Sequence, residues 1–261
     1  MANAGGKVYL FLVRHGESQF NKANKFCGWV DADLSEKGLQ EAVDASTTIK
    51  DAIAQYGPIK SLFTSYLKRA KDTLEAIRKN VNSLTELEVK SSWKLNERHY
   101  GALQNLDKSE TAKKYGEKQV QIWRRSFDIP PPSVEKGSTY DPSVDPLYAN
   151  VKEELPLGES LKLTIDRVWP FYTSDIEPIL KNGDNVLVVA HGNTTRSILK
   201  QVGGISDSDI VSLEIPTAIP VVVEFDCGKD GNISFQSYKF LADPKALAEA
   251  QEKVKAQGKA K

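Results

Sequence analysis

Two short runs stand out because they are apolar at consecutive positions, not at alternate or helically spaced ones. Val8-Tyr9-Leu10-Phe11-Leu12-Val13 and Val186-Leu187-Val188-Val189-Ala190 suit central strands of a parallel sheet covered by helices on both faces. Downstream of the first, Ser35 precedes a near-helical series of Ala42, Ala45, Ile49 and Ile53 that stops at Gly57-Pro58, which predicts a helix capped by Ser35. Ile59 to Phe63 then reads as a second strand, and Thr64-Ser65 as the cap of a helix carrying Leu67, Ala70, Leu74 and Ile77. Strand, helix, strand, helix from Lys7 to Lys79 points to an α/β chain. The expected form is a single three-layer domain, 1–261, with a mostly parallel central sheet flanked by helices.

Between about Trp93 and Gly158 the periodicity fades. Polar helices are expected over Lys108 to Tyr115 and Glu117 to Arg125, followed by a proline-rich irregular run from Pro130 to Pro156. Irregular stretches of this length usually cover a site or link domains. Because the core pattern resumes afterwards, the region of about 97–158 reads as a helical and irregular insertion covering the active rim. Leu161 to Leu180 predicts a helix with Ile165, Val168, Trp169 and Ile176 inward and a kink at Pro170. A helix over Asn193 to Val202 follows the second apolar run. Strands over Ile210 to Ile215, Val221 to Phe225 and Ile233 to Phe240 complete the pattern, and Asp243-Pro244 opens an Ala-rich helix in a C-terminal tail of about 243–261.

Of three histidines in the chain, two, His15 and His191, lie in His-Gly dipeptides directly after the two apolar runs. Ligands in open α/β sheets bind outside the carboxyl ends of the strands, so the two imidazoles are expected to converge on one rim. Arg14 precedes His15, and Arg69 falls in the early turns of a helix leaving the same rim. Imidazole beside guanidinium suits an oxyanion that is to be held and attacked. A neutral imidazole can take a phosphoryl group, with Arg14, Arg69, Asn21 and a protonated His191 stabilising it and the N-terminus of the Asn193 helix offering N–H groups to an anion. Glu97, in Leu95-Asn96-Glu97-Arg98-His99-Tyr100-Gly101, supplies a carboxylate for proton transfer. His99, taken alone, reads as an ordinary packed or surface histidine.

Composition narrows the partners. Lys plus Arg and Asp plus Glu number 35 each, so no global basic field argues for nucleic acid or an anionic membrane, and any cationic site must be local. Cys27 and Cys227 form no metal or redox spacing, and three scattered histidines offer no metal cluster. Metal-free chemistry, no membrane segment and a cytoplasmic location are the expectations.

Several longer motifs then carry a resemblance over essentially the whole chain. Arg14-His15-Gly16-Glu17-Ser18-Gln19-Phe20-Asn21, Gly28-Trp29, Leu67-Lys68-Arg69-Ala70, the segment from Trp93 to Gln104, Gln121-Ile122-Trp123-Arg124-Arg125, Glu154 to Leu161, Ala190-His191-Gly192-Asn193, Ile215-Pro216-Thr217 and Gly258-Lys259-Ala260-Lys261 resemble the cofactor-dependent phosphoglycerate mutases of the histidine phosphatase superfamily. The resemblance implies interconversion of 3-phosphoglycerate and 2-phosphoglycerate through phosphorylated His15, primed by 2,3-bisphosphoglycerate without metal, in a homo-oligomer, dimer or tetramer. It implies that Glu97 moves protons and that Arg14, Asn21, Arg69 and a charged His191 embrace the phosphoryl group. Ser18, Arg98, His99, Tyr100, Lys108, Arg124 and Arg125, with Cys27-Gly28 and Gly192-Asn193, are implied as substrate contacts. Lys259 and Lys261 are expected to help close the site.

The chain departs from the family pattern at Cys27, where a small hydroxyl residue is common, at Phe20, where tryptophan is usual, and at Thr194-Thr195, expected to be peripheral. Rival readings are a bisphosphoglycerate mutase, which resembles a form with glycine in place of Ser18, a plain phosphatase, and a scaffold without activity. Ser18 and the intact set of candidate catalytic residues favour the glycolytic mutase.

Overall fold

The computed structural model describes residues 6–228 and 231–257. The first strand, β1 (Gly6–Arg14), leads into a one-turn helix, α1 (Gln19–Lys22), and then into α2 (Glu36–Tyr56), whose N-cap Ser35 accepts from Gly38 N. β2 (Ile59–Thr64) and α3 (Lys68–Asn80) follow, then a three-residue strand, β3 (Val89–Ser91). Short helices α4 (Lys108–Tyr115) and α5 (Glu117–Arg125) fall on the expected bounds.

The third helical stretch is less uniform than its sequence pattern. α6 (Leu161–Phe171) passes through a π-helical turn, Tyr172–Ile176, into α7 (Glu177–Lys181). A proline inside a helix removes one donor and crowds the preceding turn, and the wider turn sits just after Pro170, where that disturbance is absorbed. β4 (Asn185–Ala190) and α8 (Gly192–Gly203) come next.

Two local expectations are corrected. The run read as a strand over Ile210–Ile215 is instead a helix, α9 (Asp207–Ser212), because Ser206 Oγ accepts from Asp209 N and starts a helix that buries Ile210. Ser65 does not cap α3, whose first turn has Leu67 at the cap position and no side-chain cap bond. The chain closes with β5 (Val221–Cys227), β6 (Ile233–Phe240) and α10 (Pro244–Ala256).

The six strands are ordered β3-β2-β4-β1-β5-β6. β1, β2, β3 and β4 run parallel, and β5 and β6 join antiparallel at one edge. Because strand side chains alternate faces, Leu10, Leu12, Val186 and Val188 pack on one side with Val168, Tyr172, Ile198 and Leu199. Phe11, Val13, Leu187 and Val189 pack on the other with Ala45, Ile49, Leu74 and Ile77. This is the expected three-layer α/β domain, with β1 and β4 at its centre.

The rim residues after β1 are pressed against α2. A Cβ on Gly38 would lie 2.0 Å from Glu17 O, and one on Gly16 would lie 2.2 Å from Gly38 O. Backbone meets backbone, so no flexible side chain can give way. Gly38→Ala is expected to lower the unfolding free energy by about 1–3 kcal/mol through overpacking, read from urea denaturation; an unchanged midpoint would show that helix and rim are not held in contact.

Candidate active site

β1 and β4 are parallel neighbours with Arg14 in register with Ala190, so the residues after each strand emerge on one rim. His15 N donates to Ala190 O at 3.0 Å, and the imidazole centroids of His15 and His191 lie 5.1 Å apart. His15 Nδ1 is 2.7 Å from Gly16 O. A carbonyl only accepts, so Nδ1 carries the proton and Nε2 presents its lone pair. Arg69 Nε donates to that Nε2 at 3.2 Å. Burial, and after it the positive charges of Arg69 and Arg14, hold His15 well below the ordinary histidine range. His15 is therefore a neutral imidazole with its nucleophilic nitrogen turned to a guanidinium.

In the ligand-free protein His191 is shifted the same way, away from the charged state expected of it. Burial, then Arg69, His15 and Arg14, push its pKa well down. An imidazolium here has no anion to compensate it until a phosphoryl group arrives.

Backbone carbonyls aim the guanidiniums. Arg69 donates to Val30 O at 3.0 Å and to Gly28 O at 2.7 Å. Gly28 has φ +56°, and a Cβ there would lie 2.2 Å from Gln104 Oε1, the oxygen that accepts from Trp29 N. Arg14 donates to Ile215 O at 2.7 Å, while its buried Nε has no hydrogen-bond partner.

Glu97 is nine-tenths buried. Its Oε1 accepts from Arg98 N at 2.7 Å, Asn193 N at 3.2 Å and Asn193 Nδ2 at 2.8 Å. The anion that the N-terminus of α8 meets is thus Glu97's own carboxylate. Three donors hold Oε1, and none of these bonds engages Oε2. Behind this loop, Arg167 pairs with Glu159 at 2.7 Å and donates to the carbonyls of Lys94, Asn96 and Glu97. Thr194 is fully buried and its hydroxyl donates to Asn96 O and Leu95 O. It is not peripheral; its side chain ties α8 to the Glu97 loop.

Arg14, His15, Ser18, Asn21, Cys27 and Gly28 line one cavity together with Arg69, Glu97, Tyr100, Lys108, Arg124, Arg125, Gly192 and Asn193. Ser18 caps α1 and bonds the Asn21 carboxamide, and the Cys27 thiol donates to Val30 O. Arg98 and His99 do not reach the cavity, and His191, fully buried beside His15, is not among its lining residues either. Arg98 stacks on Tyr100 with its guanidinium 4.5 Å from the ring centroid and donates to Arg124 O. His99 is fully buried, accepts from Gly101 N and packs 5.3 Å from Trp29.

Sequence reasoning missed Arg196, Lys25, Val254 and Gln257, all of which line the cavity. Arg196 sits one turn beyond Asn193 on α8 and donates to its Oδ1 at 3.1 Å, so the i, i+3 spacing on that helix was the available signal. Val254 and Gln257 lie at the end of α10, where no motif marks them. They correct the expected cover. The helical half of the insertion, Lys108 to Arg125, lines the cavity, but no residue of the irregular half does. That half braces the Glu97 loop from behind, through Pro132 O to Ala102 N and Tyr148 OH to Asn96 Nδ2. Lys259 and Lys261 lie outside the described residues.

Seven basic side chains and one carboxylate line this cavity. Burial, then Arg124 and Arg14, lower Lys108 to about 7; burial lowers Arg124 to about 10 and, with Arg125, Arg196 to about 9. The site is built to receive negative charge. Among the described residues no group of three or more His, Cys, Asp or Glu is placed to hold a metal, and no helix is long and apolar enough to cross a membrane.

Residues 10–235 match the family model of the histidine phosphatase superfamily (branch 1). The chain belongs to the histidine phosphatase superfamily. Within it, the chain is 47% identical over 253 residues to a 2,3-bisphosphoglycerate-dependent phosphoglycerate mutase of Porphyromonas gingivalis, covering 97% of this chain and 99% of that protein. It is 48% identical over 254 residues to 2,3-bisphosphoglycerate-dependent phosphoglycerate mutase 2 of Bacteroides thetaiotaomicron, with the same coverage. The crystal structure of a phosphoglycerate mutase from Bacillus anthracis shares the fold with a TM-score of 0.61 at 22% identity, covering 89% of this chain and 93% of that one. A mycobacterial glucosyl-3-phosphoglycerate phosphatase does so with a TM-score of 0.63 at 20% identity, covering 89% and 98%.

Lys108 gives this superfamily site a pH dependence. Below about 7 Lys108 is cationic, and above it neutral, so binding of an anion must restore its proton as pH rises. Sulfate, whose own charge is constant over the range, is expected to bind about tenfold more weakly per pH unit above 7 by calorimetry, a trend that Lys108→Met removes. Equal slopes in both proteins would contradict the assignment.

Proposed function

We propose that this chain interconverts 3-phosphoglycerate and 2-phosphoglycerate through a phosphohistidine at His15 Nε2, primed by 2,3-bisphosphoglycerate. The observation that carries the proposal is the neutral His15, its Nδ1 proton held by Gly16 O and its Nε2 facing Arg69, inside a cavity where basic groups outnumber acidic ones seven to one. The near-full-length relatives supply the substrate class.

His15 Nε2 attacks phosphorus, an N–P bond forms and the bond from phosphorus to the ester oxygen breaks. Glu97 returns to the departing oxygen the proton it took from the accepting hydroxyl in the preceding half-reaction. In the return step Glu97 takes the proton of the accepting hydroxyl, that oxygen attacks phosphorus, and the N–P bond breaks to regenerate neutral His15. Arg14 and Arg69 carry the charge on the transferring oxygens. Arg14 Nε and His191 Nδ1, both buried without a protein partner, are polar groups that a phosphoryl group would satisfy. Lys108, Arg124 and Arg125 hold the stationary carboxylate and phosphate. Because guanidiniums supply the positive charge, the reaction proceeds without metal. The two free thiols, Cys27 and Cys227, support a cytoplasmic setting. A homo-oligomer is proposed on Leu39 and Val43, exposed one turn apart on α2; a monomer by light scattering would remove that part.

Two measurements test the reading. Conversion of 3-phosphoglycerate should depend on added 2,3-bisphosphoglycerate and be indifferent to chelator, and Glu97→Gln should lower turnover about 10²- to 10⁴-fold. Protein incubated with the bisphosphate should gain one acid-labile phosphate by intact mass. A His15→Ala variant that still gained it would refute the assignment.

A further inference from the structure

Ser65, read from sequence as a helix cap, has a different partner. Its Oγ lies 2.7 Å from His191 Nε2 and accepts the Leu67 N–H at 3.1 Å. Both Ser65 and His191 are fully buried. A serine hydroxyl has one proton to donate and two lone pairs to accept with. If His191 Nε2 carried its ring proton, Ser65 Oγ would accept from both neighbours. Its own proton would then need another acceptor, and among the described residues none lies within hydrogen-bond distance. Leaving a buried hydroxyl proton unpaired is costly. If instead Ser65 donates to Nε2, one group is left without a protein partner, the Nδ1–H, in place of two, the Ser65 O–H and the Nδ1 lone pair. The ring proton of His191 is then on Nδ1, the nitrogen with no protein partner.

We propose that Ser65 is a positioning residue that holds His191 as the Nδ1–H tautomer, so that a fully buried imidazole offers an N–H donor to the phosphoryl group on His15. The inference rests on the proposed phosphohistidine chemistry for its use, but not for its structural content. The two adjacent imidazoles then share one tautomer and perform opposite tasks. Gly16 O occupies the N–H of His15 and leaves its lone pair for attack; Ser65 occupies the lone pair of His191 and leaves its N–H for the oxygens. The donor is in place before phosphorus arrives, so no proton must be found or lost at the moment of transfer.

The test is nitrogen NMR of the full chain labelled at histidine, which has only three such residues to assign. In the ligand-free protein near neutral pH, His191 should show a protonated, pyrrole-type Nδ1 and a pyridine-type Nε2. A proton on Nε2, or an imidazolium, would overturn the proposal whether or not the enzyme is a mutase. Ser65→Ala should shift His191 toward the Nε2–H tautomer and lower kcat roughly tenfold or more with KM nearly unchanged. An unchanged tautomer or unchanged kcat in Ser65→Ala would equally sink it. Ser65→Thr, which keeps the hydroxyl, should retain the wild-type nitrogen pattern, and if neither variant folds the wild-type spectrum alone decides.

Discussion

Positive charge gathered in a buried pocket, with almost no protein anion to balance it, is the constraint on which the rest of this structure depends. The chain meets it with carbonyl dipoles in place of carboxylates. Arg14 is held by Ile215 O, Arg69 by Val30 O and Gly28 O, Arg98 by Arg124 O and Arg196 by Leu213 O. A carbonyl fixes a guanidinium without cancelling its charge, so the charge remains for a ligand. Apart from Glu97 in the cavity itself, carboxylates enter at the margins, where Glu214 takes Arg125 and Arg196 and Glu159 takes Arg167.

The histidines follow from that field. Among guanidiniums and buried, both His15 and His191 are disfavoured from taking a second proton in the ligand-free protein, and a neutral imidazole is what nucleophilic attack requires. Glu97 is the complementary case, a buried carboxylate kept on the rim by the N-terminus of α8 and by Asn193. The second layer, Arg167, Glu159, Thr194 and Tyr148, fixes the backbone of the Glu97 loop without touching the cavity. Geometry in the site is therefore set by residues whose own partners are complete.

The central strands, the long helices and the residues at strand ends were legible because burial on both faces leaves uninterrupted apolar runs, and a His-Gly after such a run has only one rim to occupy. Ile210 to Ile215 misled because its apolar residues fit a short strand as well as one helical turn, and Ser206 decided for the helix. β3 is three residues long, too short to carry a pattern. The charge state of His191 was illegible for another reason. It depends on summed burial and on four neighbours from separate parts of the chain, and no local motif records a dielectric environment. Ser65 and Arg196 hid in plain helical contexts, since a serine near a helix start and an arginine on a helix face are ordinary features until the fold brings them to the rim.

The account's central claim is that burial and guanidinium charge keep His15 neutral until an anion enters. It is tested most directly by following the His15 ring resonances from pH 8 downward in the ligand-free protein and again with saturating sulfate. The account predicts a free-protein midpoint well below 6.5, moved upward by sulfate as the anion compensates the imidazolium. A midpoint near 6.5 in the free protein, or one that sulfate leaves in place, would contradict it.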